Sequence, residues 1–127
     1  MHNITSPRPV TDETIEQEIV RKGLTAPRVT PDDVEAAIAS EHYFTATEAL
    51  VGQTRGPEWQ ATPKELDLLT ICVLVLHNGF TVTGESACAS PENFDAEVGR
   101  KIARQKAVEK VWPLLGFRLR DQLVSTA

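Results

Sequence analysis

Leu68-Leu69-Thr70-Ile71-Cys72-Val73-Leu74-Val75-Leu76, then His77 and Asn78-Gly79, then Phe80-Thr81-Val82-Thr83-Gly84-Glu85-Ser86: the reading of this run decides the fold. Asn-Gly between two strand-like runs is the strongest short-range hairpin signal, because a type I′ turn needs positive φ at both central positions. A two-residue loop at Asn78-Gly79 sets Cys72 opposite Glu85 and Cys88 opposite Leu69. One face then carries Leu69, Ile71, Val73 and Val75 with Val82, Gly84, Ser86 and Cys88. The other carries Thr70, Cys72, Leu74 and Leu76 with Thr81, Thr83, Glu85 and Ala87. The first strand is apolar on both faces, so both should be covered. Two strands alone do not hold together in water. Helices, and a third strand that another subunit could supply, are expected to cover them, and the chain is expected to form a homo-oligomer.

Downstream, Ser90-Pro91 opens a helix expected over about 91–112, with Phe94, Val98 and Ile102 on one face and Ala96, Gly99, Ala103 and Ala107 as a small-residue stripe. Pro113 should kink or end it, and Gly116 should break it again before a short segment from Phe117 to Leu123. Upstream, Thr11 caps a first helix and Thr30-Pro31-Asp32-Asp33 starts a second, expected to end near Glu41-His42-Tyr43-Phe44. Thr45 to Leu50 adds a turn or two more. Residues 51–63 read as a loop in which Trp59 either docks onto the core, the favoured reading, or anchors a partner. Residues 1–10 read as a disordered arm with no signal peptide, and 11–127 as one domain. The fold class is α+β: N-terminal helices, then a β-hairpin (about 67–77 and 80–88) packed on a long C-terminal helix.

The chain has 127 residues, of which 41% are hydrophobic and 6% aromatic, so one aliphatic core is the limit. Its formal net charge of −5 argues against general affinity for nucleic acid. The basic groups concentrate after residue 98, which points to packing within the molecule or a solvated helix face. Cys72 and Cys88, placed on opposite faces, should not form a disulfide, and reduced thiols suit a cytoplasmic protein. No metal-ligand spacing occurs. The longest apolar run, about nine residues, is too short to span a membrane.

A second kind of signal lies in particular residues. Asn78-Gly79-Phe80, Glu85-Ser86-Ala87-Cys88, Ser90-Pro91-Glu92-Asn93-Phe94-Asp95, Gly99-Arg100-Lys101-Ile102-Ala103-Arg104 and Trp112-Pro113-Leu114-Leu115-Gly116 occur in order, with Arg28-Val29-Thr30-Pro31 and Ser40-Glu41-His42-Tyr43-Phe44 upstream. Together they resemble a family of small tailed-phage proteins named after gene products of phages N4 and Sf6. The resemblance spans about residues 28–123. It implies a phage or prophage origin and action in the host cytoplasm, and it implies no reaction.

Candidate site residues follow from chemistry-bearing side chains on the polar strand face, on the basic helix and at the end of the second helix. They are Glu41, His42, Tyr43, Thr83, Glu85, Arg100 and Arg104. Glu85 could pair with Arg100 or Arg104, or orient a ligand. Ser86 lacks the Gly-x-Ser-x-Gly setting of a hydrolase nucleophile, and no glycine-rich phosphate loop exists. No catalytic set, metal or cofactor is expected. The expected function is therefore binding: a non-catalytic phage accessory protein that inhibits or redirects a host protein such as a defence component. The alternatives are a sponge for small cyclic nucleotides, held near Arg100 or Arg104 and Glu85, and a nucleic-acid-binding accessory factor.

Overall fold

The computed structural model describes residues 10–53 and 62–126. Residues 1–9 of the expected arm and Trp59 lie outside them. Helix α1 (Asp12–Arg21) leads to α2 (Pro31–Ala37), strand β1 (Ile38–Thr45) and helix α3 (Ala46–Val51). A 3₁₀ turn (Lys64–Leu68) then feeds β2 (Leu69–Leu76), which pairs with β3 (Thr81–Ala87). A second 3₁₀ turn (Pro91–Asn93) precedes the long helix α4 (Ala96–Ser125). The fold is α+β, with an antiparallel sheet in the order β1-β2-β3.

Helices α1, α2 and α3 each start at a threonine whose hydroxyl accepts from the backbone N–H three residues on. In each case the side chain at that third residue returns a bond to the cap's own N–H, so two otherwise orphaned donors are satisfied. This detail explains the main departure from the expected order. The Thr45–Glu48 capping box marks a new helix start, so the residues before it are not the tail of α2. Helix α2 stops at Ala37, and Ile38–Thr45 pairs along β2, with a bulge between Ile38 and Ser40. Tyr43, Phe44 and Thr45 favour a pleated surface, and pairing along β2 prevails over the helical reading. The third strand the hairpin needs thus comes from its own chain.

The hairpin forms at the expected place with a different loop. Asn78 does not adopt positive φ; only Gly79 does, at +88°. The Leu76 N–H donates to the Phe80 carbonyl and the Gly79 N–H to the Leu76 carbonyl, both at 2.8 Å. Asn78 Oδ1 accepts from the Phe80 N–H at 2.9 Å. His77, Asn78 and Gly79 therefore form a three-residue loop, in which one left-handed glycine suffices. The extra residue slips the expected register by one. Cys72 lies opposite Gly84, Leu74 opposite Val82 and Thr70 opposite Ser86. The expected pairing of Cys72 with Glu85 is wrong, and with it the argument that put the cysteines on opposite faces. Both thiols are free.

The slip sorts the side chains cleanly. Thr70, Cys72, Leu74, Leu76, Val82, Gly84 and Ser86 are all buried and all share one face. Helix α4 lies on that face and contributes buried Gly99, Ala103, Ala107, Val111 and Leu115, while α2 adds Val34. The helix approaches β3 so closely that a Cβ on Gly84 would fall within 3.0 Å of the Ala103 carbonyl oxygen and the Ala107 amide nitrogen. Gly84 is needed there for space, since its φ is not positive.

Helix α4 also runs through Pro113 and Gly116 without interruption, contrary to the expected break. Proline frees the carbonyl four residues back, that of Glu109. Glu109 and Pro113 are both exposed, so water can take up that acceptor, while Val111 and Leu115 hold the other side of the helix in the core.

Candidate functional site

The seven candidate residues fall into separate groups. Glu41 and Tyr43 stand opposite Leu74 and Cys72 on the face that receives α4. Arg104, beside Ala103 in the contact with the sheet, meets Glu41 there: its Nε donates to Glu41 Oε2 at 2.7 Å. Its other nitrogens make a two-pronged bond with Glu35 of α2, at 3.1 and 2.7 Å. Glu35 was not anticipated; it is one of several exposed acids near the start of α2, and nothing in its local sequence distinguishes it. Donating to the Glu35 and Glu41 carboxylates holds Arg104 above its usual range, and accepting from Arg104 holds Glu35 below the usual carboxylate range.

Tyr43 sits next to this cluster. Burial first, then the proximity of Cys72 and Glu41, pushes its phenol up to about 12. Burial also raises the Cys72 thiol, against a hydrogen bond from Tyr43. The arrangement ties α2, β1 and α4 together with a forked guanidinium. It does not offer a free cation to an anionic ligand, because two carboxylates already answer the one charge.

His42, Thr83 and Glu85 lie on the other face of the sheet. His42, Val73 and Thr83 form one row across the three strands, and Phe44, Ile71 and Glu85 the next. His42 Nε2 is 3.0 Å from Ser40 Oγ, and the Thr83 hydroxyl donates to Glu85 at 3.3 Å. Arg100 projects from α4 as an exposed residue. Glu85 is thus separated from Arg104 by the sheet, and His42, Glu85 and Arg100 do not converge on one cleft. The one-residue slip accounts for the place of Glu85, because it moves every β3 side chain to the face opposite the one expected.

A concavity among the described residues lies elsewhere. A groove of about 720 Å³ opens at the turn end of the sheet, between the segment leading into α2 and the last turns of α4. Val29, Leu76, Phe80, Leu114 and Phe117 supply apolar wall. Asp33, Arg118 and Asp121 supply charge around it. Arg28 also lines it, but its guanidinium is held by Glu16 of α1 in a two-pronged pair. Two aromatic rings stand exposed on its lip: Phe117 is 73% accessible and Phe80 55%. Sequence reading missed this site because it treated Phe117 as part of a separate helix; only a continuous α4 carries that residue to the hairpin turn. Its size and mixed lining suit a ligand-binding cleft.

Among the described residues, no group of His, Cys, Asp and Glu could hold a metal ion, and no helix is long and apolar enough to cross a membrane. The profile of a phage protein family, N4 Gp49/phage Sf6 gene 66, matches residues 29–123. That is well over half of the chain, and the chain belongs to this family. Neither the curated proteins nor the solved structures contain a match.

Proposed function

We propose that this member of the N4 Gp49/Sf6 gene 66 family is a non-catalytic phage accessory protein that binds a host protein in the host cytoplasm and inhibits or redirects it. The observation that carries the reading is the groove at the turn end of the sheet, with Phe80 and Phe117 held out on its lip. Large exposed aromatics beside a concavity are the residue type that dominates binding energy at protein interfaces. The hairpin turn and the long helix fix the backbone at both positions, so binding orders the two side chains and not the chain that carries them. Asp33, Arg118 and Asp121 provide both signs of charge around the apolar floor, a rim suited to a polypeptide surface. The alternative of a nucleotide sponge near Arg104 has less support, since Glu35 and Glu41 occupy that guanidinium.

The test is capture from host lysate by the tagged wild-type protein and by Phe117→Asp and Phe80→Ser variants. The reading expects one stoichiometric host protein on the wild type and its loss from both variants, with unchanged circular dichroism. A partner retained equally by folded variants would remove the groove from the account. No stoichiometric partner across several hosts would remove the function itself.

A further inference from the structure

The face of the sheet turned away from α4 has a composition that a solvent-facing sheet surface does not ordinarily have. Antiparallel sheets with one wet face show polar residues there. Here the central strand places Leu69, Ile71, Val73 and Val75 on that face, and β1 adds Phe44. None of these five is in the buried core, and each keeps part of its surface accessible. Polar residues flank the stripe on both sides: Ser40 and His42 on β1, Thr81, Thr83 and Glu85 on β3. An apolar centre with a polar rim is the anatomy of an interface. No lysine or arginine lies on any of these strand positions.

We infer that this face is the interface of a two-fold homodimer, in which the sheets of two copies pack face to face with the axis parallel to β2. Charge selects both the occupant and the axis. Rotation about an axis along the strands lays the β2 stripe on the partner's β2 stripe and brings each β1 rim over the partner's β3 rim. His42 then faces the Thr83 and Glu85 edge of the partner subunit, an imidazole toward a carboxylate, twice in the dimer. An axis across the strands would set the Glu85 edges against each other, with like charges opposed. Packing about the strand axis keeps the two sheets nearly aligned, as twisted sheets prefer. The area sets the strength. A three-stranded sheet of eight-residue strands presents a footprint of roughly 26 by 14 Å per copy. That is below the roughly 800 Å² per partner of a standard stable complex, so the dimer belongs to the weak, reversible class. This interface is separate from the groove, which remains open in both copies.

The inference is tested by sedimentation equilibrium of the full chain from about 1 to 200 µM at low salt. The expected result is reversible conversion from 14.0 kDa to twice that mass. Val73→Thr with Val75→Thr keeps shape and strand propensity. It exchanges four buried methyls per dimer for hydroxyls and should raise Kd by on the order of a hundredfold. Glu85→Lys should weaken the dimer by roughly tenfold, and adding His42→Glu should restore most of it by reversing the pair. A wild-type chain that stays at 14.0 kDa throughout, or a dimer that the paired threonine variant leaves intact, overturns the interface. A double variant no tighter than Glu85→Lys alone overturns the axis.

Discussion

Gly84→Ala tests the packing of α4 on the sheet in the sharpest way, because two effects of opposite sign compete. Adding a methyl restricts the unfolded chain, and at an unstrained site this alone would stabilise by about 0.4–1 kcal/mol. At Gly84 the methyl would enter the backbone of α4 within 3.0 Å of Ala103 and Ala107. Neither obstacle is a side chain that can rotate away. Ordinary contact is restored only if the helix lifts by roughly 1 Å, which loosens the fully buried Ala103, Ala107 and Val111. Overpacking costs about 1–3 kcal/mol where side chains can adjust, so a backbone obstacle belongs at or above the upper end. A net loss of about 3 kcal/mol corresponds to a fall in Tm of roughly 10 °C for a domain of this size. Thermal and urea unfolding followed by circular dichroism measure it, with Thr83→Ala on the opposite face as the control, expected within about 0.5 kcal/mol of wild type. A Gly84→Ala protein as stable as wild type, or more so, would refute the close approach.

Tyr43 is the one tyrosine in the chain, so ultraviolet titration reads it alone. Ionisation should begin well above the ordinary value of 10.0, with a midpoint near 12 or at alkaline unfolding, and a midpoint near 10 would contradict its burial. Because the folded value is raised, its contribution to stability is complete below pH 10 and is lost as pH rises toward 12. Glu35 acts at the other end. Its folded value is lowered, so its contribution is present above the unfolded value of 4.5 and is lost as pH falls through the folded one. Arg104→Met should flatten this acid limb and cost about 1 kcal/mol or less at pH 7, since Glu35 and Glu41 are well exposed; an unchanged limb would show that the pair does not form in solution. Thiol titration under native conditions should find Cys88 reactive and Cys72 slow until unfolding, and two equally fast thiols would contradict the buried position of Cys72.

The hairpin was legible because Asn78-Gly79 and the apolar runs beside it leave few alternatives, and the long helix because its small-residue stripe has helical spacing. The register was not. Whether Asn-Gly closes a two-residue or a three-residue loop depends on which residue takes positive φ, and both loops accept the same sequence. That one difference moved Glu85 away from the helix and removed its possible pairing with Arg104. Strand β1 was hidden because Ile38–Thr45 borders on a well-capped helix and gains its strand character only by pairing with β2. The Thr45-x-x-Glu48 box was the available signal. At Pro113, intrinsic propensity gave way to tertiary context, since its exposed side tolerates the lost hydrogen bond. The groove could not be read at all, because it joins three segments distant in sequence.

All site assignments depend on which side of the strands α4 seals. Neighbouring β3 positions can report this directly through cysteine labelling in a Cys88→Ser background, in protein dilute enough to be monomeric. Thr83→Cys should label rapidly, and Val82→Cys slower by at least about a hundredfold, since reaching it requires local opening of the core. Equal rates, or a faster Val82→Cys, would mean that the helix covers the other face.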